Sequence, residues 1–305
     1  MRIIYMGTPD FAVPALCALH DAGHEVLFAV TKPDAPAGRG KKLKACPVKL
    51  KAEELGIPVL SPEKVKGNEE FYDAVNSAAA DLIVVAAYGK ILPKEVLDAP
   101  RLGCVNIHGS LLPKYRGAAP IQRAVLERAG VTGVTLMYMA EGMDTGDMIA
   151  KAETPVAEKT ADGLFAELAQ LGAQLLMQQL PLIENGTAAR VPQNDAEATY
   201  APMVSKEDCI LRFENCPEDE AARVRALGGI TLLNGETFKV HAAHAEDCSC
   251  GLPAGTVARA DKHGIAVSCG GKLLVLTNVQ APGKKAMDVS AFLLGNKIEI
   301  GTVLG

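Results

Sequence analysis

The sequence predicts an α/β protein: a Rossmann-like, mostly parallel sheet with helices on both faces, followed by a small C-terminal β-barrel of OB-like type. Three observations predict it. In the first half, short apolar runs alternate with stretches of helical period, as parallel strands joined by crossover helices require. After Leu182 the alternation stops, and residues 183–203 are rich in Asn, Gly, Ala, Thr and Pro without an apolar period. Beyond them, short strand-like runs are separated by turn residues, the pattern of a small barrel. A length of 305 residues favours two domains. The expected organisation is a first domain over residues 1–188, a linker over 189–205 and the barrel over 206–305.

The elements follow in order. Residues 2–6 read as a strand that Gly7-Thr8-Pro9 ends, and residues 11–22 as the helix after it. Such a strand-to-helix turn is where α/β folds often bind phosphate. It lacks the Gly-x-Gly-x-x-Gly spacing, so a dinucleotide enzyme is a weak reading and a plain tight turn suffices. Residues 25–31 form a strand, 48–55 and 69–79 helices, 81–87 a strand, 104–108 another strand and 121–128 a helix. Residues 134–139 and 148–155 are strands flanking a 141–147 loop, which is expected near the same end of the sheet as His108. Leu164, Leu168, Leu171 and Leu175 share one face of a long helix that Thr160 is placed to cap, a stripe suited to core packing. In the C-terminal part, residues 236–242, 255–259, 264–269 and 273–279 read as strands.

Composition narrows the function classes. With 49% hydrophobic and 22% charged residues the chain is an ordinary globular protein, not a disordered or fibrous one. The apolar run at the start is cut at Gly7, too short for a signal peptide, and the densest run, 82–88, is far below the roughly 20 residues that span a bilayer. A cytoplasmic protein with no membrane contact is expected. Its eight cysteines are scattered, which suits reduced thiols. His241, His244, Cys248 and Cys250 have ligand types that suit zinc, but their spacing matches no standard site, so no metal is expected. The net charge of −5 repels nucleic acid on average, so an RNA partner needs a local patch. Residues 32–51 supply one, with seven basic residues against Asp34, among them Arg39, Lys41 and Lys42. Lys284 and Lys285 in a Pro-Gly turn are a second candidate, although residues 207–305 as a whole hold ten Lys or Arg against twelve Asp or Glu.

The chemistry concentrates in the stretch that begins Asn106-Ile107-His108-Gly109-Ser110. Positions two apart on a strand share a face, so Asn106 and His108 project together near the carboxyl end of their strand, where open α/β sheets bind ligands. Attack of an amine on an acyl carbon builds negative charge on oxygen and positive charge on nitrogen. Asn supplies an uncharged NH₂ donor for the first, and His can take or give a proton near neutral pH. A carboxylate that orients the imidazole is the missing partner, and Asp144, between Gly142 and Gly146, is the candidate. Each residue alone fits a structural histidine or a turn-forming aspartate. Together they suit acyl transfer.

The Asn106-x-His108 triplet, the run Ser110-Leu111-Leu112-Pro113 followed by Arg116-Gly117, and the Met143-Asp144-x-Gly146 loop together resemble the folate-dependent formyltransferase family. That resemblance implies a Rossmann-like core with Asn106, His108 and Asp144 as the catalytic set and 10-formyltetrahydrofolate as the co-substrate. It implies folate contacts from Ser110, Leu111, Leu112 and Pro113, and a pterin pocket lined by Tyr88, Gly89, Ile91, Leu92 and Gly142. Further motifs are similar to the branch of the family whose acceptor is initiator methionyl-tRNA: Met6-Gly7-Thr8-Pro9-Asp10, Gly38-Arg39-Gly40-Lys41-Lys42, Ala198-Thr199-Tyr200-Ala201-Pro202 and Gln280-Ala281-Pro282-Gly283-Lys284-Lys285. On that branch, residues 1–188 would be the catalytic domain and 206–305 a tRNA-binding barrel. Arg39, Lys41, Lys42, Lys284 and Lys285 would hold the tRNA, and the chain would be a monomer. The pattern departs at Leu227-Gly228-Gly229-Ile230, which lacks the proline-containing stretch expected at the barrel's entry. Glycinamide ribonucleotide formyltransferase, a formyl-folate hydrolase and a sugar-nucleotide formyltransferase are the competing enzymes. An RNA-binding module without catalysis is the competing class, in which the Asn106, His108 and Asp144 set would be needless.

Overall fold

The computed structural model describes residues 1–37 and 42–305, which form two compact units. The first comprises residues 1–120, 131–155 and 163–202; the second comprises 121–130, 156–162 and 203–305. Most of the segment read from sequence as a linker, up to Pro202, thus belongs to the first unit.

The strands of the first unit are β1 (Arg2–Gly7), β2 (Glu25–Val30), β3 (Ala35–Ala37), β4 (Lys42–Lys44), β5 (Val59–Leu60), β6 (Leu82–Ala86), β7 (Cys104–His108), β8 (Arg116–Gly117), β9 (Val131–Tyr138), β10 (Met148–Pro155) and β11 (Tyr200–Ala201). The helices are α1 (Val13–Asp21), α2 (Pro47–Glu54), α3 (Glu69–Ser77), α4 (Lys94–Leu97), α5 (Pro120–Leu126), which falls almost wholly in the second unit, and α6 (Ala161–Glu184). The central sheet has seven strands in the order β10-β9-β7-β6-β1-β2-β5. From β7 to β5 neighbours run parallel, while β9 is antiparallel to β7, and β10 to β9.

A sheet covered on both faces needs near-continuous apolar strands, which explains Ile3-Ile4-Tyr5-Met6 and Leu82-Ile83-Val84-Val85. Ile4, Met6, Ile83 and Val85 pack with Phe71, Tyr72 and Val75 of α3 and Val96 of α4. The alternate residues Ile3, Tyr5, Leu82 and Val84 are fully buried on the other face, where α6 meets β7 at the contact of Gly172 with Ile107. Asn68 caps α3 by accepting the Phe71 N–H at 3.0 Å, with Glu69 and Glu70 in the first turn favoured by the helix dipole.

The second unit holds α7 (Pro217–Leu227), α8 (Val289–Gly295), and strands β12 (Gly229–Leu233), β13 (Glu236–Glu246), β14 (Val257–Asp261), β15 (Gly264–Cys269), β16 (Lys272–Gln280) and β17 (Met287–Asp288). The strands form an antiparallel sheet in the order β12-β13-β16-β15-β14, with β17 beside β16. Register shifts between Val240 and Ala243 bend β13, as bulges do. Phe238, Val240, Val257, Ile265, Val267, Leu274 and Leu276 gather on one core with Phe292 of α8, whose ring lies 5.5 Å from that of Phe238. The short strands expected of a barrel are present. Among the described residues the end strands β12 and β14 do not pair with each other, and α7, α8 and Leu304 help to enclose the core.

The residues around Gly228, where the family's proline stretch is lacking, have a simple path. α7 ends at Leu227, Gly228 takes a positive φ (74°) that glycine adopts without steric cost, and β12 begins at Gly229. Glu220 of α7 is fully buried and satisfied by the Arg212 N–H at 3.0 Å, Asn215 at 2.8 Å and Arg223 at 2.9 Å. Arg123 and Arg128 pair with Asp208 and Asp219, each at 2.9 Å, and join residues 121–130 to the rest of this unit.

Candidate active site

β7 delivers Asn106 and His108 on the face that carries Cys104 and Val85, opposite Ile107. Both are nearly buried, with 9% and 6% of their surface exposed. Among the described residues none hydrogen-bonds the Asn106 carboxamide, whose polar atoms keep what little solvent access the residue has. His108 Nε2 lies 3.0 Å from the Tyr115 carbonyl. A carbonyl only accepts, so Nε2 carries a proton and Nδ1 is the nitrogen left to face Asp144, whose Oδ2 is 3.7 Å away. That is an ion-pair distance, too long for a hydrogen bond. The same Oδ2 accepts the Gly117 N–H at 2.9 Å, which holds the carboxylate in place.

Asp144 reaches His108 by a route the sequence did not suggest. Because β9 is antiparallel to β7, with Tyr138 opposite Val105 and the Met139 N–H donating to the Cys104 carbonyl at 2.8 Å, the connection to β10 starts at the amino end of β7. The expectation that this loop joins its strands at His108's end of the sheet is therefore corrected: residues 139–147 fold back along the sheet, with Met139 packed on the core of that face. The turn is tight. A Cβ on Gly146 would sit 1.9 Å from the Tyr138 carbonyl oxygen, so only glycine fits.

The segment after β7 is fixed from several sides. Ser110 is fully buried and donates to the Lys114 carbonyl at 2.6 Å, while Thr135 donates to the Ser110 carbonyl at 2.7 Å and accepts the Leu112 N–H at 3.0 Å. β8 pairs with β11, and Thr199 accepts the Tyr115 N–H at 2.8 Å. Gly117 has φ 118°, and a Cβ there would lie 2.9 Å from the Ala201 carbonyl oxygen. Three of the non-glycine residues with left-handed backbone, Ala87, Tyr115 and Asp144, belong to these loops, a placement that costs about 1–3 kcal/mol each and persists where surroundings impose it.

Residues 1–180 match the Formyl transferase family, and residues 203–297 match the Formyl transferase, C-terminal domain family. The chain belongs to the formyl transferase family. Methionyl-tRNA formyltransferase of Syntrophus aciditrophicus (strain SB) is 45% identical over 310 residues, covering 100% of this chain and 99% of the relative. The protein of the same name from Thiobacillus denitrificans (strain ATCC 25259 / T1) is 48% identical over 311 residues, covering 100% of both. Among solved structures, WlaRD, a sugar 3N-formyl transferase, aligns with a TM-score of 0.68 at 18% identity over 93% of this chain and 99% of its own. HypX from Aquifex aeolicus aligns with a TM-score of 0.67 at 18% identity over 98% of this chain and 49% of its own. These two likenesses establish a shared fold.

Within this formyl transferase the remaining expected site residues are placed unevenly. Gly89, Ile91 and Gly142 are exposed, and Ile91 and the neighbouring Met143 present apolar side chains that are 72% and 59% exposed. Tyr88 and Leu92 point into the α3–α4 core, so only their backbone is available to a ligand. The Tyr88 hydroxyl is buried without a partner among the described residues, and burial pushes its pKa up to about 12. Lys90 anchors this loop by donating to the Pro62 and Glu63 carbonyls at 2.6 and 2.9 Å. Burial holds its ammonium below the usual lysine value, and nearby Lys32 lowers it further. Leu112 is fully buried with Met137 and Met148, and Leu111 lies against Gly133, whereas Pro113 is half-buried.

Arg39 and Lys41 lie outside the described residues, and Lys42 is described by its place in β4. Lys284 and Lys285 are exposed before β17. All eight cysteines are free thiols. Among the described residues no group of three His, Cys, Asp or Glu side chains is arranged to hold a metal ion, and no helix is long and apolar enough to cross a membrane.

Sequence reasoning missed the groups that hold the set together: the Tyr115 carbonyl, the Gly117 N–H and the side chain of Gln193. Arg116-Gly117 and Thr199 sat inside the motifs that carried the family resemblance, which was a signal of importance without a signal of role. Gln193 lies in an aperiodic polar stretch and gave none.

Proposed function

We propose that this chain transfers a formyl group from 10-formyltetrahydrofolate to the free amino group of initiator methionyl-tRNA, with Asn106, His108 and Asp144 as the catalytic residues. The observation that carries the reading is the accessible Asn106 carboxamide, unused among the described residues, on the same strand face as a histidine that lies 3.7 Å from a carboxylate. The full-length relatives named for this activity support the choice of acceptor.

The exposed apolar side chains of Ile91 and Met143 suit the faces of a folate ring system, and the exposed backbone of Gly89 and Gly142 suits its polar edge. When bound, 10-formyltetrahydrofolate supplies the activated formyl group. As an amine attacks, the Asn106 NH₂ donates to the oxygen on which negative charge builds. His108 accepts the attacking amine's proton at Nδ1, giving an imidazolium with the Tyr115 carbonyl accepting at Nε2 and the Asp144 carboxylate 3.7 Å from Nδ1. It gives a proton to the carrier's nitrogen as the bond between that nitrogen and the formyl carbon breaks. Asp144 also offsets the positive charge on the attacking nitrogen.

Residues 1–188 would then carry the catalytic groups, 189–205 would lead on to the next part while its residues up to Pro202 stay with the first unit, and 206–305 would be the tRNA-binding part, in a protein that acts as a monomer in the cytoplasm. Arg39, Lys41 and Lys42 would grip the acceptor end, with Lys284 and Lys285 adding affinity; the last two are exposed and in no ion pair among the described residues. The test offers labelled formyl-folate to the purified protein with initiator methionyl-tRNA, glycinamide ribonucleotide, an amino-sugar nucleotide or water. The label should enter methionyl-tRNA; label in another acceptor, or free formate alone, overturns the reading.

A further inference from the structure

We propose that Gln193 is a positioning residue for the transfer, a clamp on the catalytic turn applied from a segment that carries no catalytic group. The inference rests on Asp144 belonging to the catalytic set. Gln193 uses both ends of its amide. Its Nε2 donates to the Asp144 and the Gly146 carbonyls, each at 2.8 Å, and so spans the turn that presents the carboxylate. Its Oε1 accepts from Arg116 Nε at 3.0 Å and Nη2 at 2.8 Å. Arg116 is itself 2% exposed and pairs with Asp195 at 2.8 Å.

The arrangement is a closed ring of interactions. Arg116 is the residue before Gly117, whose N–H holds the Asp144 carboxylate at 2.9 Å. The same strand β8 pairs with β11, and the Arg116 N–H donates to the Thr199 carbonyl at 2.8 Å. On the other side, Val191 bridges to Met148 at the start of β10. The segment 191–201 is therefore stapled to both loops that meet at His108, with Gln193 at the point where they converge.

The turn needs such a clamp. Asp144 has φ 53°, a left-handed conformation that a non-glycine residue leaves when nothing imposes it. Its carbonyl and that of Gly146 would be left without a side-chain donor if Gln193 were replaced by a residue that cannot donate. A carboxylate 3.7 Å from an imidazole contributes through its position, so a shift of about 1 Å at the turn lowers rate without removing any group that touches substrate. Glutamate at position 193 separates the two halves of the clamp: it still accepts from Arg116 but cannot donate to the two carbonyls.

The experiment compares full-length Gln193→Glu, Gln193→Ala, Asp144→Asn and the Gln193→Glu/Asp144→Asn double variant by kcat, KM for each substrate and melting temperature. Gln193→Glu should lower kcat by on the order of tenfold or more, with both KM values within about twofold of the parent. In the Asp144→Asn background it should cost little more, because its effect runs through the carboxylate. Parent-like kcat, a loss confined to KM, or full additivity in the double variant overturns the proposal. If Gln193→Glu fails to fold, Gln193→Ala answers by the same split and the same cycle with Asp144→Asn. A silent Asp144→Asn would instead sink the catalytic assignment on which the inference rests.

Discussion

Replacing Asp144 by Asn is the sharpest perturbation of the proposed catalytic set, because it removes a charge and keeps the shape. The Asn oxygen can still accept the Gly117 N–H, and asparagine tolerates the left-handed backbone of this position (φ 53°) better than most residues. Stability should therefore move by less than about 0.5 kcal/mol. What disappears is the carboxylate's attraction for positive charge on His108 and on the attacking amine. Two unit charges about 4 Å apart at an effective dielectric near 20 attract by about 4 kcal/mol, and the 16% exposure of the Asp144 side chain places it in that regime. Part of that attraction is offset by solvation, so about 3 kcal/mol, on the order of a hundredfold in rate, is expected. Single-turnover formyl transfer together with equilibrium binding of tRNA and folate is the assay. Turnover near the parent value would refute the reasoning and leave Asp144 as a turn former.

Other outcomes follow from the same geometry. Asn106→Ala should lower kcat on the order of a hundredfold or more while melting near the parent temperature, since the carboxamide makes no hydrogen bond among the described residues; a drop in melting temperature in step with activity would contradict this. Tyr88→Phe, which removes a buried hydroxyl without a partner, should raise stability by about 1 kcal/mol in denaturant titration. The Arg128 hydrogen bond, and then Cys216, hold the Asp219 carboxyl below the usual range, so its contribution is present above pH about 4 and disappears as pH falls through the lower folded-state value. Asp219→Asn should accordingly melt below the parent near neutral pH, with the gap closing in acid. Reversing Lys284 and Lys285 to Glu should weaken tRNA binding and flatten its salt dependence by about one unit of slope for each phosphate no longer neutralised.

Residues that sit in regular elements were the legible ones. Asn106 and His108 could be placed on one face because a strand alternates, and β7 spans the five residues expected of it. The carboxylate proposed for the catalytic set could be named, but not its path, because the antiparallel turn from β7 to β9 depends on tertiary pairing that no local period encodes. For the same reason the family resemblance could name residues of the loop after β6, yet nothing in the sequence showed that Tyr88 and Leu92 turn inward while Ile91 turns out. Gln193 marks the limit most clearly. A polar residue in an aperiodic stretch carries no signature, and its role exists only once β11 lies against β8.

The central claim is tested most directly by a single-turnover experiment with enzyme in excess over charged initiator tRNA and labelled formyl-folate. Stoichiometric formylmethionyl-tRNA is expected from the parent protein, and formation slower by on the order of a hundredfold or more from Asn106→Ala. Label appearing only as free formate, or equal rates from the two proteins, would contradict it.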